Sequence, residues 1–252
     1  MDIALEHIVL LVITGLLAGV INILAGGGSN LTLPALMVMG MPADIANATN
    51  RVAVTLQNVV AMRGFYKHDK LPTEDLGAIL MPTLVGGFLG AISASYAPEW
   101  ILKPLLLCVM ITMTIIMLVK PSVISPPPGT IPRKVKEKPS AWWWLAGAGF
   151  YAGFIQAGVG FILITALAGA LRYDLVRTNA LKVVCVLLPT LVALAVFTAR
   201  DQVLWVPGLI LASGSMVGAH LAVKFSITAK PSTLKWFLLI MTLCGSAAVL
   251  LF

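Results

Sequence analysis

The sequence predicts an all-α polytopic membrane protein with two inverted repeats, each a re-entrant broken-helix hairpin plus three transmembrane helices. Three observations lead to this fold class: long apolar runs, motifs that recur in both halves, and glycine breaks inside apolar runs. Hydrophobic residues make up 59% of the 252 residues and charged residues only 11%, whereas soluble domains carry about 25% charged residues. We therefore expect the chain to lie in a bilayer.

Ten apolar runs follow one another along the chain, and a helix needs about 20 apolar residues to cross the hydrocarbon core. The runs 30–40 and 161–171 are too short for this, and each follows a glycine break. The first run is expected to be retained, because a signal peptide needs a basic N-terminal segment and Asp2 and Glu6 stand there instead. The runs lie at about 8–24, 30–40, 45–63, 76–96, 101–119, 142–157, 161–171, 176–199, 204–222 and 233–251.

A proline-rich basic segment, PSVISPPPGTIPRKVKEKP at 121–139, cannot be a span and divides the chain. It predicts a first membrane repeat at 1–120, a cytoplasmic linker at 121–139 and a second membrane repeat at 140–252. Motifs recur in order in the two halves, which is typical of secondary transporters. In the first pair, AGVINILAGGGSN (18–30) parallels AGFIQAGVGF (152–161), and Asn22 aligns with Gln156. In the other two pairs, NATNRV (47–52) parallels NALKVV (179–184), and GGFLGA (86–91) parallels GSMVGA (214–219).

The distribution of basic residues favours an inverted arrangement of the repeats. If both broken segments are re-entrant, thirteen of the 17 Lys and Arg residues fall in cytoplasmic loops and only Lys103 and Arg200 lie outside. Eight full spans would instead put Lys224, Lys230 and Lys235 outside, against the positive-inside rule. We therefore expect a bacterial inner-membrane protein with a cytoplasmic linker and both termini in the periplasm.

The stretch LAGGGSN at 24–30 interrupts an apolar segment that begins at Ile8. Irregular backbone at membrane depth is tolerated only where it is buried in protein or lines a wet cavity. A short helix beginning near Ser29 would present its positive N-terminal end to an anion, and Gly158–Gly160 begins a similar segment. The alternative is that glycines only allow close helix packing, which is our interpretation of Gly86, Gly87, Gly90, Gly214 and Gly218.

Two cations are expected inside the membrane. Arg51 and Lys182 each lie about two turns into a helix, and an intramembrane cation costs at least about 2.5 kcal/mol on insertion scales. No Asp or Glu lies deep enough to pair with them, since Asp44 and Asp174 are expected to cap helix N-termini. The two cations therefore suit an anionic substrate, unless they snorkel to the interfaces.

The candidate ligands are glycines and polar residues at the two breaks and on the helices that follow. Asn47, Gln57 and Thr178 could equally form hydrogen bonds between helices, and Cys185 is expected to act as a small hydrophobe. We expect no metal site and no cofactor. The candidate substrate ligands are Asn22, Gly26, Gly27, Gly28, Ser29, Asn30, Thr49, Asn50, Arg51, Gln156, Gly158, Gly160, Asn179 and Lys182.

Two long segments resemble the TauE/SafE sulfite exporter family. AGVINILAGGGSNLTLPALMVMGMPADIANATN (18–50) is similar to its first repeat and AGFIQAGVGFILITALAGALRYDLVRTNALKVV (152–184) to its second. The resemblance covers nearly the whole chain and assigns the glycine motif to 26–28 and the threonine element to Thr49. The second repeat departs from the pattern, with Ala180-Leu181-Lys182 in place of a Gly-Thr-Ser-like element and Ala166 opposite Pro34.

The resemblance implies a secondary transporter of small sulfur-containing anions such as sulfite, sulfoacetate or thiosulfate, with export as the best-known direction. The alternatives are an anion channel and an importer of a related oxyanion. An intramembrane hydrolase is disfavoured, because His220 shares its helix with Ser213 and Ser215 at spacings that do not form a nucleophile–base pair. The expected partners are a small anionic substrate and the lipid bilayer, with no nucleic acid, and the sequence is compatible with a homodimer.

Overall fold

The structure is a computed structural model, and it describes residues 4–98 and 129–229 together with isolated positions at 100, 101, 104, 105, 108, 126 and 233. The predicted spans at 101–119 and 233–251, apart from the isolated positions, and the linker residues 121–125, 127 and 128 lie outside the described residues. The described part is all-helical and contains no strand, which confirms the helical class. Four of its helices are long and apolar enough to cross a membrane: Leu5–Leu24, Leu76–Ser95, Leu175–Ala199 and Trp205–Thr228.

The described helices follow the predicted apolar runs closely. Both short runs form separate helices after a break, and the second continues into a π-helical turn, Thr165–Ala170. The helices are α1 (Leu5–Leu24), α2 (Ser29–Val38), α3 (Ala43–Lys67), α4 (Leu76–Ser95), α5 (Ser140–Phe154), α6 (Val159–Ile164), α7 (Leu175–Ala199) and α8 (Trp205–Thr228), with a 3₁₀ turn at Val135–Glu137.

The two halves of the chain interlock around a central pair of helices. Helices α3 and α7 pack on each other, and most of their residues are buried. Helix α1 packs along α8, while α4 packs along α5. Glycines permit these contacts: a Cβ on Gly86 would lie 2.1 Å from the Ala146 carbonyl oxygen, and one on Gly214 would lie 2.1 Å from that of Val12. The close-packing interpretation of these glycines is confirmed.

The helices that precede the two breaks, α1 and α5, end in the same way. The amide groups of Ala25 and Gly26 both donate to the Ile21 carbonyl, at 2.7 and 2.9 Å. At the second break Ile155 and Gln156 both donate to Tyr151, at 3.0 Å each. Gly26 and Gln156, which donate the second of these bonds in each case, both have positive φ, +90° and +71°. Gln156 therefore occupies the position of Gly26, and its predicted alignment with Asn22 is wrong.

One of the two predicted helix caps is confirmed. The side chain of Asp174 accepts hydrogen bonds from the amides of Val176 and Arg177, at 3.1 and 3.0 Å. Asp44 instead lies inside the first turn of α3, after Pro42, and caps nothing. The prediction for Asp44 is wrong because Pro42, in extended backbone, starts the helix earlier than the hydropathy pattern indicates.

The end of the linker is attached to the helical bundle. The amide of Arg133 donates to the Leu171 carbonyl at 2.8 Å, and the amide of Val135 donates to Asp75 Oδ2 at 2.7 Å. The side chain of Val135 is buried in an apolar cluster with residues of α4, α5 and α7. These bonds bring the loop before α4, the linker and the chain after the π-helical turn to one end of the bundle.

Candidate functional site

The two helix breaks touch each other inside the molecule. A Cβ on Gly26 would lie only 2.2 Å from the Gly160 Cα, so the two backbones are in direct contact. The amide of Gly160 donates to the carbonyl of Gly26 at 3.3 Å. Only glycine at both positions allows this approach, so both residues have a packing role.

A small polar cavity lies beside the first break, between α1, α2, α3 and α8. Its volume is about 10 Å³, room for roughly one water molecule, so a sulfur oxyanion would need the helices to separate. It contains no charged side chain. The lining residues are Ala18, Asn22, Gly28, Ser29, Thr32, Asn50, Ala53, Val54, Gln57 and Ser215.

The beginning of α2 is fixed to α3 by one asparagine. Asn50 Nδ2 donates to Ser29 Oγ at 3.1 Å, and Asn50 Oδ1 accepts from Thr32 Oγ1 at 2.7 Å. All three side chains are buried. Because Ser29 accepts from Asn50, its own hydroxyl hydrogen is free to donate to another group.

Several donors at this cavity or directly next to it have no partner among the described residues. In the part of the chain that the structure describes, the amides of Gly27, Gly28 and Ser29 have no backbone acceptor. Gln57 is only 2% exposed, and its side chain has no hydrogen-bond partner among the described residues although it lines the cavity. Buried polar groups are normally satisfied, so unpaired donors at the N-terminus of the ten-residue helix α2 mark a place suited to an anion.

The second break is built differently. The amide of Val159 is bonded to the Gln156 carbonyl at 3.1 Å, and Gln156 Nε2 donates to Thr190 Oγ1 at 2.9 Å. The hydroxyl of Tyr151 donates to the carbonyl of Ala157. The side chain of Val159 lies in an apolar cluster, and α6 has only six regular residues before its π-helical turn. The second break is therefore more apolar at Val159, but it also has unpaired groups: Gln156 Oε1 is buried without a partner among the described residues, and the amides of Ala157 and Gly158 have no backbone acceptor there.

Neither predicted cation snorkels to an interface. Arg51 and Lys182 are 0% and 2% exposed, so both are enclosed by protein. The Arg51 guanidinium donates to carbonyls at the end of α5, and Lys182 Nζ donates to the Ile23 carbonyl near the end of α1 at 2.8 Å. Neither cation lines the polar cavity at the first break.

The other predicted ligands are spread around this centre. Thr49 Oγ1 accepts from the Leu204 amide at 3.1 Å and so holds the start of α8. Asn30 lines an apolar groove between α1 and α2, and Asn179 Oδ1 binds Lys182. Cys185 is fully buried among apolar side chains.

The candidate ligands predicted from sequence did not include Thr32 and Ser215, which both line the cavity. Thr32 lies one turn after Ser29 on α2, so helical spacing could have indicated it. Ser215 lies on α8, 185 positions after Asn30 at the first break. No signal in the sequence predicts that these two regions are close in the fold.

Comparison with known proteins gives the family. The family model described as "Sulfite exporter TauE/SafE" matches residues 11–249. The chain belongs to this family. It is thus a multi-pass membrane transporter, not an enzyme.

Curated relatives in this family match along nearly their whole lengths. A probable membrane transporter protein of Haemophilus influenzae is 27% identical over 249 residues, covering 98% of this chain and 96% of the relative. The probable membrane transporter protein YfcA of Escherichia coli K12 is 25% identical, covering 93% and 86%. Probable membrane transporter protein ORF9 of a Sinorhizobium species is 22% identical, covering 96% and 92%. No solved structure matches this TauE/SafE chain.

Proposed function

We propose that this TauE/SafE protein exports small sulfur-containing anions, such as sulfite or an organosulfonate, by alternating access at the first helix break. The observation that carries the proposal is a group of donors without partners in the described chain. The amides of Gly28 and Ser29 and the side chain of Gln57 belong to residues that line the polar cavity, and the amide of Gly27 directly precedes them. An oxyanion presents several acceptors, and a helix N-terminus adds a partial positive charge.

The site in this proposal keeps five of the ligands predicted from sequence and adds Gln57, Thr32 and Ser215, which line the cavity. Asn22, Gly27, Gly28, Ser29, Asn50 and Gln57 form its core, with Thr32 and Ser215 on its wall. Asn22 is included because it lines the cavity and has no side-chain partner in the described chain. Gly26 and Gly160 join the breaks, and Thr49 accepts from the Leu204 amide. Gln156 bonds to Thr190 and Asn179 to Lys182, while Gly158 starts α6 with a positive φ of +75°.

The inverted-repeat arrangement is part of the proposal. Helices α3 and α7 both have 25 residues and begin 132 positions apart. Asp69 and Asp201, also 132 positions apart, follow these helices with φ of +53° and +55°. The α1–α8 and α4–α5 contacts are reciprocal between the halves. An internal two-fold relation of this kind supports transport by alternating access.

Contacts of the linker support a re-entrant second hairpin. Helix α5 begins directly after the linker, and the chain after α6 returns to it, because the Arg133 amide binds the Leu171 carbonyl. The hairpin would then start and finish at the same face. One hollow at this face is lined by Lys70, Arg133, Lys134 and Arg177 together with Asp69, Glu74 and Asp75. Because the positive-inside rule counts Lys and Arg, these basic residues support a cytoplasmic location for this face in a bacterial inner membrane.

The test is counterflow in proteoliposomes that contain the purified protein. Vesicles preloaded with sulfite, thiosulfate, sulfoacetate or sulfate are diluted into trace radiolabelled sulfite. The proposal predicts saturable uptake that is stimulated by at least one preloaded sulfur anion and lost in Gln57→Leu. Ser93→Ala is the control, because Ser93 is exposed and bonds only within its own helix. Uptake that follows the gradient without stimulation by internal anion would indicate a channel.

A further inference from the structure

The two buried cations are bonded to opposite halves of the chain. Arg51 belongs to α3 in the first half, but its guanidinium donates to three consecutive carbonyls at the end of α5 in the second half: Ala152, Gly153 at 3.0 Å and Phe154 at 3.3 Å. Lys182 belongs to α7 in the second half, and its Nζ donates to the carbonyl of Ile23 near the end of α1, at 2.8 Å. Each cation thus binds the broken helix of the other half.

Each cation is also oriented by an asparagine of its own helix. Asn47 Oδ1 accepts from Arg51 at 3.3 Å, and Asn179 Oδ1 accepts from Lys182 at 3.0 Å. The two asparagines are 132 positions apart, as are the starts of their helices. Asn47 adds a second contact with α5, because its Nδ2 donates to Phe154 at 3.0 Å. The two arrangements are therefore similar in kind: each cation binds an asparagine of its own helix and backbone at the end of the broken helix of the other half. Arg51 follows its asparagine by four residues and binds three carbonyls, whereas Lys182 follows by three and binds one.

The chemistry of a helix end explains both contacts. The last four carbonyls of a helix have no partner within it, and they carry a partial negative charge of about half an electron. At the end of α5 the Tyr151 carbonyl accepts from the amides of Ile155 and Gln156. Arg51 binds the other three of the last four carbonyls of this helix. A cation enclosed by protein needs such a partner, so the helix ends account for the burial of both cations without a substrate.

These contacts connect the cations to the candidate site. Ile23, which binds Lys182, lies four residues before Gly27, whose amide is one of the unpaired donors. Arg51 directly follows Asn50, which holds the beginning of α2. Neighbouring residues of α3 therefore contact the two different breaks, Asn50 the first and Arg51 the second.

We infer that Arg51 and Lys182 are positioning residues that hold the broken helices of the opposite halves in the transport-competent geometry, and that they are not ligands of the anion. The inference rests on the proposed function only where anion binding and transport are measured. In Lys182→Met the anion dissociation constant stays within threefold of wild type, while the counterflow rate at saturating anion falls at least tenfold. Lys182→Arg restores at least half of that rate, because a guanidinium can bind the same carbonyl.

The experiment that tests this directly is amide hydrogen–deuterium exchange on the purified full chain without any anion. Lys182→Met should accelerate exchange at least tenfold around residues 24–30, and Arg51→Met around 155–160, each in the half opposite to the substitution. Lys224→Met, which removes an exposed lysine, is the control and should change neither segment. If Lys182→Met does not fold, Asn179→Leu, which removes one of the two acceptors of Lys182, should give the same opposite-half pattern in weaker form.

Three results would overturn the inference. Faster exchange confined to the substituted helix, or spread evenly over the chain, would contradict the crossed contacts whatever the protein transports. A tenfold weaker anion affinity in Lys182→Met that is restored in Lys182→Arg would make Lys182 a ligand. An unchanged transport rate per folded molecule would leave the contact with no part in transport. If wild type binds none of the anions but the crossed exchange pattern appears, the proposed substrate fails and the positioning role stands.

Discussion

Gly26 and Gly160 join the two helix breaks, with the Gly160 amide 3.3 Å from the Gly26 carbonyl oxygen. A side chain at either position would enter the backbone of the other. Because one residue comes from each half of the chain, this contact fixes where the halves meet. It also places the unpaired amides of Gly27, Gly28 and Ser29 directly beside the junction.

Gly160→Ala is expected to destabilise the protein by about 1–3 kcal/mol, the usual cost of overpacking a close contact. Its Cβ would lie 2.2 Å from the Gly26 Cα, where only backbone could move aside. The measurement is the thermal unfolding midpoint in detergent. Gly147→Ala is the control, since a Cβ there meets nothing within 4 Å; it should leave the midpoint unchanged or raise it. Equal midpoints for the two variants would refute the contact.

Asn50→Leu is expected to lower the unfolding free energy by about 1–3 kcal/mol, because it leaves the buried hydroxyls of Ser29 and Thr32 without their partner. Asn58→Leu on the same helix is the matched control. Asn58 is equally buried, but among the described residues its side chain bonds only to the Val54 carbonyl within α3. A larger loss of stability in Asn58→Leu than in Asn50→Leu would show that Asn50 does not hold the start of α2.

Asp75→Ala is expected to release the end of the linker, because the Val135 amide loses its acceptor. Limited proteolysis of the purified protein should then cut the basic segment around residues 133–138 at least several times faster than in wild type. Glu74→Ala, at the neighbouring loop position, is the control, since no hydrogen bond of the Glu74 side chain is found in the described chain. Equal cleavage of all three proteins would mean that the Asp75 bond does not retain the linker.

Ile131→Cys tests the orientation of the protein in the membrane. Ile131 is exposed at the hollow formed by the linker and the neighbouring loops. In a chain whose native cysteines are replaced by alanine, a membrane-impermeant maleimide should label this cysteine in inverted vesicles and leave it unlabelled in intact spheroplasts. Labelling in intact spheroplasts would place the linker in the periplasm and reverse the proposed topology.

The positions of the breaks and the burial of the cations could be predicted from sequence, because a glycine run and an intramembrane charge are local signals. The partners could not be predicted. Arg51 binds carbonyls about 100 positions later in the chain, and that pairing depends on how α3 and α5 pack. Ser215 likewise lines the cavity because of how α8 packs on the helices of the first half, which the sequence does not indicate. The predicted cap at Asp44 is wrong because Pro42 sets the helix start, a backbone effect that hydropathy does not record.

The sequence also suggested two equivalent half-sites, which the packing does not provide. Val159 takes the place of Ser29 at the second break and lies in an apolar cluster. The π-helical turn after α6 makes that short segment twelve residues long against ten for α2. Similar motifs in the two halves of the described chain thus give a polar cavity beside the first break and a more apolar surrounding at the second, where Val159 is buried among apolar side chains.

The central claim is that the first break binds an anion through Gln57 and the neighbouring amides. The most direct measurement is calorimetric titration of the purified protein with sulfite, thiosulfate, sulfoacetate and sulfate, comparing wild type, Gln57→Leu and Ser93→Ala. A hydrogen bond to a charged group contributes about 1.5–3 kcal/mol, so the account predicts saturable binding of at least one sulfur anion that is at least tenfold weaker in Gln57→Leu and unchanged in Ser93→Ala. Equal affinities in all three proteins, or no binding of any of the four anions to wild type, would contradict it.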